Sequence, residues 1–166
     1  MSKLKIVNIK ISCFFDCELL PQVVKQENGL VFTVYKHSKM HMNISGIKSV
    51  NELYKFQQIL KCNKFRIDNI MFARKCKQNY NMQKLYKRIK LLYGHKYNIQ
   101  YDQENQITKG IHVRPIHKPG FSLLIFRTGS CTVMGAKCIQ DQRVCEQMLN
   151  DIFVESCLMF IKKNEN

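Results

Sequence analysis

The chain has 166 residues, which is enough for one domain with its own core but not for a multidomain enzyme. Hydrophobic residues make up 45% of it and charged residues 23%, close to globular averages, so wholesale disorder is excluded. The 27 lysines and arginines exceed the 12 acidic residues, giving a formal net charge of +15. This charge favours a polyanionic partner.

The first ten residues do not resemble a signal peptide, because lysines interrupt the apolar positions every few residues. No stretch of the chain approaches the roughly 18 apolar residues of a membrane span. We therefore expect a soluble, unprocessed protein without a membrane partner. The eight cysteines lack a secretory context, which indicates an intracellular, reducing compartment.

Residues 1–62 predict three strands and two helices. The elements are a strand over 5–14, a helix over 16–25, strands over 30–36 and 40–45, and a helix over 49–60. In the first strand Ile9, Ile11 and Cys13 alternate with polar residues, which is typical of a strand with one buried face. Ser49, followed three residues later by Glu52, forms a capping-box pattern at the start of the second helix.

Residues 63–166 repeat this order with more strands. The elements are a strand over 65–73, a basic amphipathic helix over 81–93, strands over 110–114, 121–127 and 131–134, and a helix over 141–161. The last two strands form a hairpin about Thr128 and Gly129. Helical spacing predicts that Val144, Met148 and Ile152 face inward in the final helix.

The two halves, 1–62 and 63–166, are therefore interpreted as repeats that together make one domain. Asn8 and Asn69 lie in similar Ile-x-Asn-Ile contexts, and Gly46 corresponds to Gly135. The first half is shorter between these landmarks, which leaves space for only two strands there.

Residues 120–137, GFSLLIFRTGSCTVMGAK, resemble the LLIF-x-SGK-x-V-x-TGAK hairpin of the TATA-box-binding protein family. Asn8 and Asn69 stand where that family has an asparagine in the first strand of each repeat. The loop that begins at Tyr101 and ends at Gly110 is similar to the family's Tyr-Glu-Pro-Glu-Leu-Phe-Pro-Gly segment. The resemblance is specific over 63–155 and weak over 1–60.

The resemblance implies an α+β fold shaped as a saddle. A curved antiparallel sheet from two pseudo-repeats carries helices on its convex face, and its concave face binds A·T-rich double-stranded DNA in the minor groove. Other transcription-initiation factors or RNA polymerase are the implied protein partners, in the nucleus or at a cytoplasmic viral transcription site. The implied protein is not an enzyme and takes no cofactor, metal or small-molecule substrate.

The family's DNA contacts carry over to individual positions of this chain. They fall on Asn8, Asn69, Met71, Ile107, Arg114, Leu124, Phe126, Thr128, Thr132 and Met134. Phe126 matches a phenylalanine that wedges between base steps, and Ile107 lies near the position of its partner. Phe32 is the best wedge candidate in the first half. Lys10 and Ser130 depart from the family, which has valine and lysine there.

Two other interpretations stand beside this one. The sheet could be an interaction module of a transcription complex without stable DNA binding, or an RNA-binding sheet, although Phe126 lacks the neighbouring aromatic platform that RNA recognition favours.

Cys13 with Cys17 and His37 with His41 have ligand-like spacing for zinc. The 19 residues between the pairs exceed the usual dozen or so, so we expect Cys13 to be a core residue.

Overall fold

Eight strands and three helices form the described part of the chain in a computed structural model, which describes residues 3–15, 30–35, 40–60, 64–101, 110–117 and 120–161. The strands are β1 Lys5–Phe15, β2 Val31–Tyr35, β3 Met40–Ile47, β4 Lys64–Arg74, β5 Tyr97–Tyr101, β6 Gly110–Pro115, β7 Ser122–Phe126 and β8 Cys131–Ala136. The helices are α1 Val50–Leu60, α2 Met82–Tyr93 and α3 Asp141–Ile161. The expected α+β class is confirmed.

The chain divides into two compact units. Unit 1 comprises Met1–Lys5 and Ala73–Asn166, and unit 2 comprises Ile6–Phe72. The strand order is β2-β3-β1-β4 within unit 2 and β8-β7-β6-β5 within unit 1. β3 pairs antiparallel with β1 and β2, and the neighbours from β5 to β8 are all antiparallel. Between β1 and α1 the described residues contain two strands, as the short first half predicts.

Alternation along β5–β8 separates a covered face from an open one. The odd-numbered positions are buried: Ile99, Ile111, Val113, Leu123, Ile125, Cys131 and Val133. Helix α2 contacts β5, β6 and α3, and α3 contacts β8, so these helices cover the odd-numbered side. The even-numbered positions of β5–β8 form the opposite side, called here the open face of unit 1.

The predicted helix starts are confirmed by their hydrogen bonds. Asn81 precedes α2, and its side-chain oxygen accepts from the Lys84 N–H at 3.0 Å. At α1 the Ser49 hydroxyl oxygen accepts from the Glu52 N–H at 3.1 Å, while the Glu52 carboxylate accepts from the Lys48 N–H at 2.8 Å. Both helices thus satisfy N–H groups that the helix itself leaves unpaired.

Two expectations differ from the structure. Strand β5 was not predicted, because its residues follow the turn after α2 without a long apolar run.

Val144 is 41% exposed, so its predicted inward orientation is wrong. The buried stripe of α3 instead runs through Cys145, Met148, Leu149, Ile152 and Phe153. Val144 lies about 100° around the helix from Cys145, outside that stripe. The predicted helix over 16–25 lies outside the described residues.

None of the described helices combines the length and apolar character that spanning a membrane requires.

The cysteines described in the structure are thiols: Cys13, Cys76, Cys131, Cys138 and Cys145. Cys13 is fully buried, and Cys17 and His37 lie outside the described residues. Within the described ranges no group of three or more histidine, cysteine or acidic side chains is arranged to hold a metal ion.

Candidate nucleic-acid interface

Strand pairing brings most of the predicted contacts of the second half onto one surface. On the open face of unit 1, Asn98 lies opposite Arg114, and Gln100 lies opposite His112. His112 also lies opposite Leu124, which in turn lies opposite Thr132. Gly110 lies opposite Phe126, and Ser122 lies opposite Met134. Arg114, Leu124, Phe126, Thr132 and Met134 therefore share this face. Its centre is apolar or uncharged, and its one arginine, Arg114, is exposed.

Leu124 is more enclosed than its position on the open face implies, with 7% of it exposed. The cause is Gly110, which lacks a side chain on the neighbouring strand. A Cβ at Gly110 would stand 2.6 Å from Leu124 Cδ1, so the leucine side chain occupies that space. Phe126, opposite Gly110, is half-buried.

A tight loop places Phe126 at the very end of β7. The Phe126 N–H donates to the Ser130 carbonyl at 2.9 Å, and the Gly129 N–H donates to the Phe126 carbonyl at 2.8 Å. Gly129 has φ 72°, the left-handed conformation that a three-residue hairpin loop requires at its last position. The predicted turn at Thr128 and Gly129 is confirmed.

A second piece of chain holds this loop in place. Residues 75–81, called here the bracing segment, run beside the hairpin. The Gln78 N–H donates to the Thr128 carbonyl at 3.1 Å, and the Tyr80 N–H donates to the Arg127 carbonyl at 2.9 Å. Hydrogen bonds from the bracing segment therefore hold two carbonyls of the hairpin loop, which restricts the motion of the loop that follows Phe126.

Ser130 has a structural role that its departure from the family pattern did not reveal. Its hydroxyl accepts from the Cys76 N–H and donates to the Cys76 carbonyl, both at 3.0 Å. A Cβ at Gly129 would stand 2.6 Å from Tyr80 Cε2 and 3.2 Å from Cys76 Sγ. The loop and the bracing segment thus fit closely enough to exclude a larger residue at Gly129.

Beneath the bracing segment lies a buried arginine. Arg74 is 5% exposed, and its guanidinium carbon lies 4.5 Å from the centre of the Phe153 ring. Its Nη2 lies 3.9 Å from Cys131 Sγ, and Tyr80 packs edge-on against Phe153 at 5.8 Å. Burial raises the pKa of Cys131 to about 12, against the opposing effect of Arg74. Cys131 is accordingly a neutral packing residue.

In unit 2, Asn8 stabilises an irregularity between β1 and β3. Ile9 pairs with Ile47 and Ile11 pairs with Ile44, so β3 contains one extra residue in this interval. Gly46 lies within the bulge, with φ 99°, and its N–H donates to Asn8 Oδ1 at 2.7 Å. Asn8 is half-buried.

The first half also contains a polar cluster around Ser12, which is 1% exposed. The Ser12 hydroxyl contacts Asn43 Oδ1 at 2.8 Å and also hydrogen-bonds to Asp68, whose carboxylate pairs with Arg66 Nε at 2.9 Å. Burial alone would raise the pKa of Asp68, but these hydrogen bonds and the charges of Arg66 and Lys10 lower it overall. Asp68 is therefore an ionised, structurally engaged carboxylate.

The backbone of Phe32 pairs with Ile44, whose side chain is fully buried. Its neighbours Val31 and Thr33 are exposed and pair with Ser45 and Asn43. Val31, at 48% exposure, is thus an accessible apolar side chain of β2 that the sequence reading did not select. Identifying Val31 as accessible requires the pairing register of β2 with β3, which the sequence pattern does not give.

The other predicted contacts are distributed as follows. Asn69 and Met71 are half-buried in β4. Thr128 is exposed at the tip of the hairpin loop, and its hydroxyl oxygen accepts from the Ser130 N–H at 3.3 Å. Ile107 lies outside the described residues.

His112 is a further residue of the open face that sequence reasoning missed. It is half-buried between Gln100 and Leu124. Burial, and secondarily the charge of Arg114, lower the pKa of His112 below its ordinary value. A neutral imidazole can both donate and accept a hydrogen bond, so His112 adds a further polar group to the amides and hydroxyls of this face.

Comparisons with known proteins define the class. A solved structure titled Methanococcus jannaschii TBP matches with a TM-score of 0.65 and 18% identity, covering 91% of this chain and 98% of that chain. The chain thus has the TBP fold. A family model described as transcription factor TFIID (or TATA-binding protein, TBP) matches residues 64–153. The chain therefore belongs to the TATA-binding protein family, a family of non-enzymatic transcription factors. No curated protein matches it.

Proposed function

We propose that this protein is a divergent transcription-initiation factor that binds A·T-rich promoter DNA in the minor groove. The observation that carries the proposal is the braced hairpin of unit 1, which holds a half-buried Phe126 at the edge of the open face. A side chain inserted between base pairs must resist being pushed aside, because unstacking a step costs on the order of a few kcal/mol.

The chemistry of the open face supports minor-groove binding. A·T pairs offer acceptors and no donors in that groove, and the guanine amino group adds a projecting donor. Half-buried Thr132 and Met134 present a hydroxyl group and apolar surface there without a negative charge, and the small exposed part of Leu124 adds to the apolar surface. Exposed Arg114 is suited to a phosphate. Phe126 would wedge with Ile107 beside it, and Thr128 would contact the backbone.

Asn8 supports the proposal through the polarity of its amide. A backbone N–H can only donate, so the Asn8 atom that faces Gly46 is the oxygen. The amide NH₂ is then the group left to point elsewhere, and it matches the acceptors of an A·T step. We assign Asn69 the same role and Met71 an apolar contact. Phe32 is the weaker wedge candidate.

We further propose that the halves 1–62 and 63–166 act together as one DNA-binding domain, with other initiation factors or RNA polymerase as protein partners. An A·T-rich genome suits the composition, and the site of action would be the nucleus or a cytoplasmic viral transcription site. The net charge of +15 would supply a sequence-independent attraction to any duplex.

Fluorescence anisotropy with the full chain tests the proposal. Labelled A·T-rich duplex, G·C-rich duplex and single-stranded RNA are titrated at about 50 and 200 mM salt. We expect all affinities to fall with salt, while a preference of about tenfold or more for the A·T-rich duplex persists. Equal affinity for both duplexes at the higher salt would favour an interaction module, and preference for the single strand would favour RNA binding.

A further inference from the structure

Helix α2 presents a surface of unusual composition on the side away from the sheet. Its buried residues are Met82, Leu85, Ile89 and Tyr93. At 3.6 residues per turn, positions 84, 87 and 91 fall on the opposite side. Lys84, Lys87 and Leu91 are called here the outer face of α2.

Leu91 lies at the C-terminal end of the outer face and is 76% exposed, more than any other large hydrophobic side chain among the described residues. Lys87 and Arg88 precede it by four and three positions, so both are its neighbours on the helix surface, and Lys84 lies one turn further toward the start of α2. A leucine held in water beside cationic side chains gains nothing for the isolated chain.

The charges on this face are also uncompensated within the helix, because α2 contains no acidic residue. Lys84 and Lys87, three positions apart, repel each other, and neither forms an ion pair with a residue in the described part of the chain. Lys90, by contrast, lies outside this face and donates to the Tyr86 hydroxyl at 3.2 Å. A negatively charged partner would relieve the repulsion.

We propose that the outer face of α2 docks an acidic, amphipathic helix of a partner protein. Leu91 would enter the apolar stripe of that helix, and Lys84 and Lys87 would meet its flanking carboxylates. A nucleic-acid backbone matches the lysines but offers no apolar surface for Leu91, so charge and exposure together favour a protein. Because α2 packs on the covered face of β5 and β6, this surface and the open face of unit 1 can be occupied together.

The test uses the full chain and a labelled synthetic probe of about 20 residues, helical, with leucines along one face and glutamates elsewhere. Anisotropy measures probe binding by the parent, Leu91→Ser and Lys87→Glu. Val144→Ser, an exposed apolar residue of α3, and Lys55→Glu, an exposed lysine of α1, are the matched controls. Circular dichroism checks that every variant retains its helices.

We expect Leu91→Ser and Lys87→Glu each to weaken probe binding by about tenfold, and both controls to bind within about twofold of the parent. Equal losses in variants and controls, or no loss for Leu91→Ser, would overturn the proposal. The same samples are titrated with A·T-rich duplex. If Lys87→Glu weakens duplex binding far more than Lys55→Glu while Leu91→Ser leaves probe binding unchanged, the face binds phosphates and the proposal is wrong.

Discussion

Asn8 and Gly46 are joined by a hydrogen bond of 2.7 Å across the β1–β3 pair, from the glycine N–H to the asparagine side-chain oxygen. Gly46 takes φ 99° at the bulge, where the ladder does not supply a partner of its own. The bond therefore stabilises the bulge and fixes the orientation of the Asn8 amide at the same time. A structural and a DNA-binding role can reside in opposite ends of one side chain.

Two substitutions of Asn8 separate these roles. Asn8→Asp keeps an acceptor for Gly46, so the free energy of unfolding should stay within about 1 kcal/mol of the parent, whereas Asn8→Ala should lose about 1–3 kcal/mol. Both should lose preference for A·T-rich over G·C-rich duplex, because both lack the NH₂ donor. Denaturant titration and anisotropy measure the two effects. An Asp variant that retains the preference would show that the amide does not contact bases.

Gly135 and Gly120 provide a second comparison, now of sterics. Both have positive φ, 91° and 151°, but a Cβ at Gly135 would overlap the Gly120 carbonyl oxygen, whereas one at Gly120 meets nothing within 4 Å. We expect Gly120→Ala to cost about 1–2 kcal/mol from backbone strain, and Gly135→Ala about 3 kcal/mol or more. Urea denaturation of both variants measures the difference. Equal losses would mean that the backbone at Gly120 moves aside readily.

The pH dependence of stability should contain two windows. His112 has a pKa lowered from 6.5, so the unfolded chain takes up the proton first and stability falls as the pH drops below about 6.5. Asp68 has a pKa lowered from 3.8, so its contribution persists above about 3.8 and disappears at still lower pH. Denaturant titrations across pH should show His112→Gln flattening the upper window and Asp68→Asn the lower one. A variant that changes the other window would contradict this assignment.

Much of the fold was readable from the sequence, because it depends on local patterns. Alternation marked β1, and the capping-box pattern of Ser49 and Glu52 marked the start of α1. Strand β5 escaped because only Ile99 in it is buried, and its pairing with β6 is what makes it a strand. The inward stripe of α3 was misjudged at Val144 for a similar reason, since helical periodicity alone admits more than one rotation.

The sequence predicts the candidate site only where the relevant residues lie on one strand. Along β7, Phe126 is half-buried as alternation predicts, whereas Leu124, which alternation also places on the open face, is only 7% exposed. The contacts that hold the hairpin join Cys76 to Ser130 and Tyr80 to Arg127, pairs about fifty positions apart in the chain. No periodic pattern signals such contacts. Ser130 therefore looked like a lost lysine, although its hydroxyl forms part of the brace.

The last prediction concerns Phe126. If its ring inserts between base pairs, Phe126→Ala should reduce both duplex bending and affinity, with a loss of about 1–3 kcal/mol in binding free energy. Phe126→Leu should retain part of each, because an apolar wedge remains. Phe32→Ala should have less effect, since the described part of the first half contains no hairpin braced as this one is. Energy transfer between dyes at the duplex ends measures bending, and anisotropy measures affinity.

Stability must be measured alongside, because truncating a half-buried phenylalanine weakens folding and could imitate weaker binding. Ser130→Ala is the informative companion variant: it leaves the ring intact but removes the two side-chain hydrogen bonds to Cys76. If wedging depends on a rigid loop, this variant should bend DNA less while losing only about 1–3 kcal/mol of stability. If folded Phe126→Ala bends and binds the duplex like the parent, Phe126 is not a wedge, because the alanine side chain is too small to insert between base pairs in place of the ring.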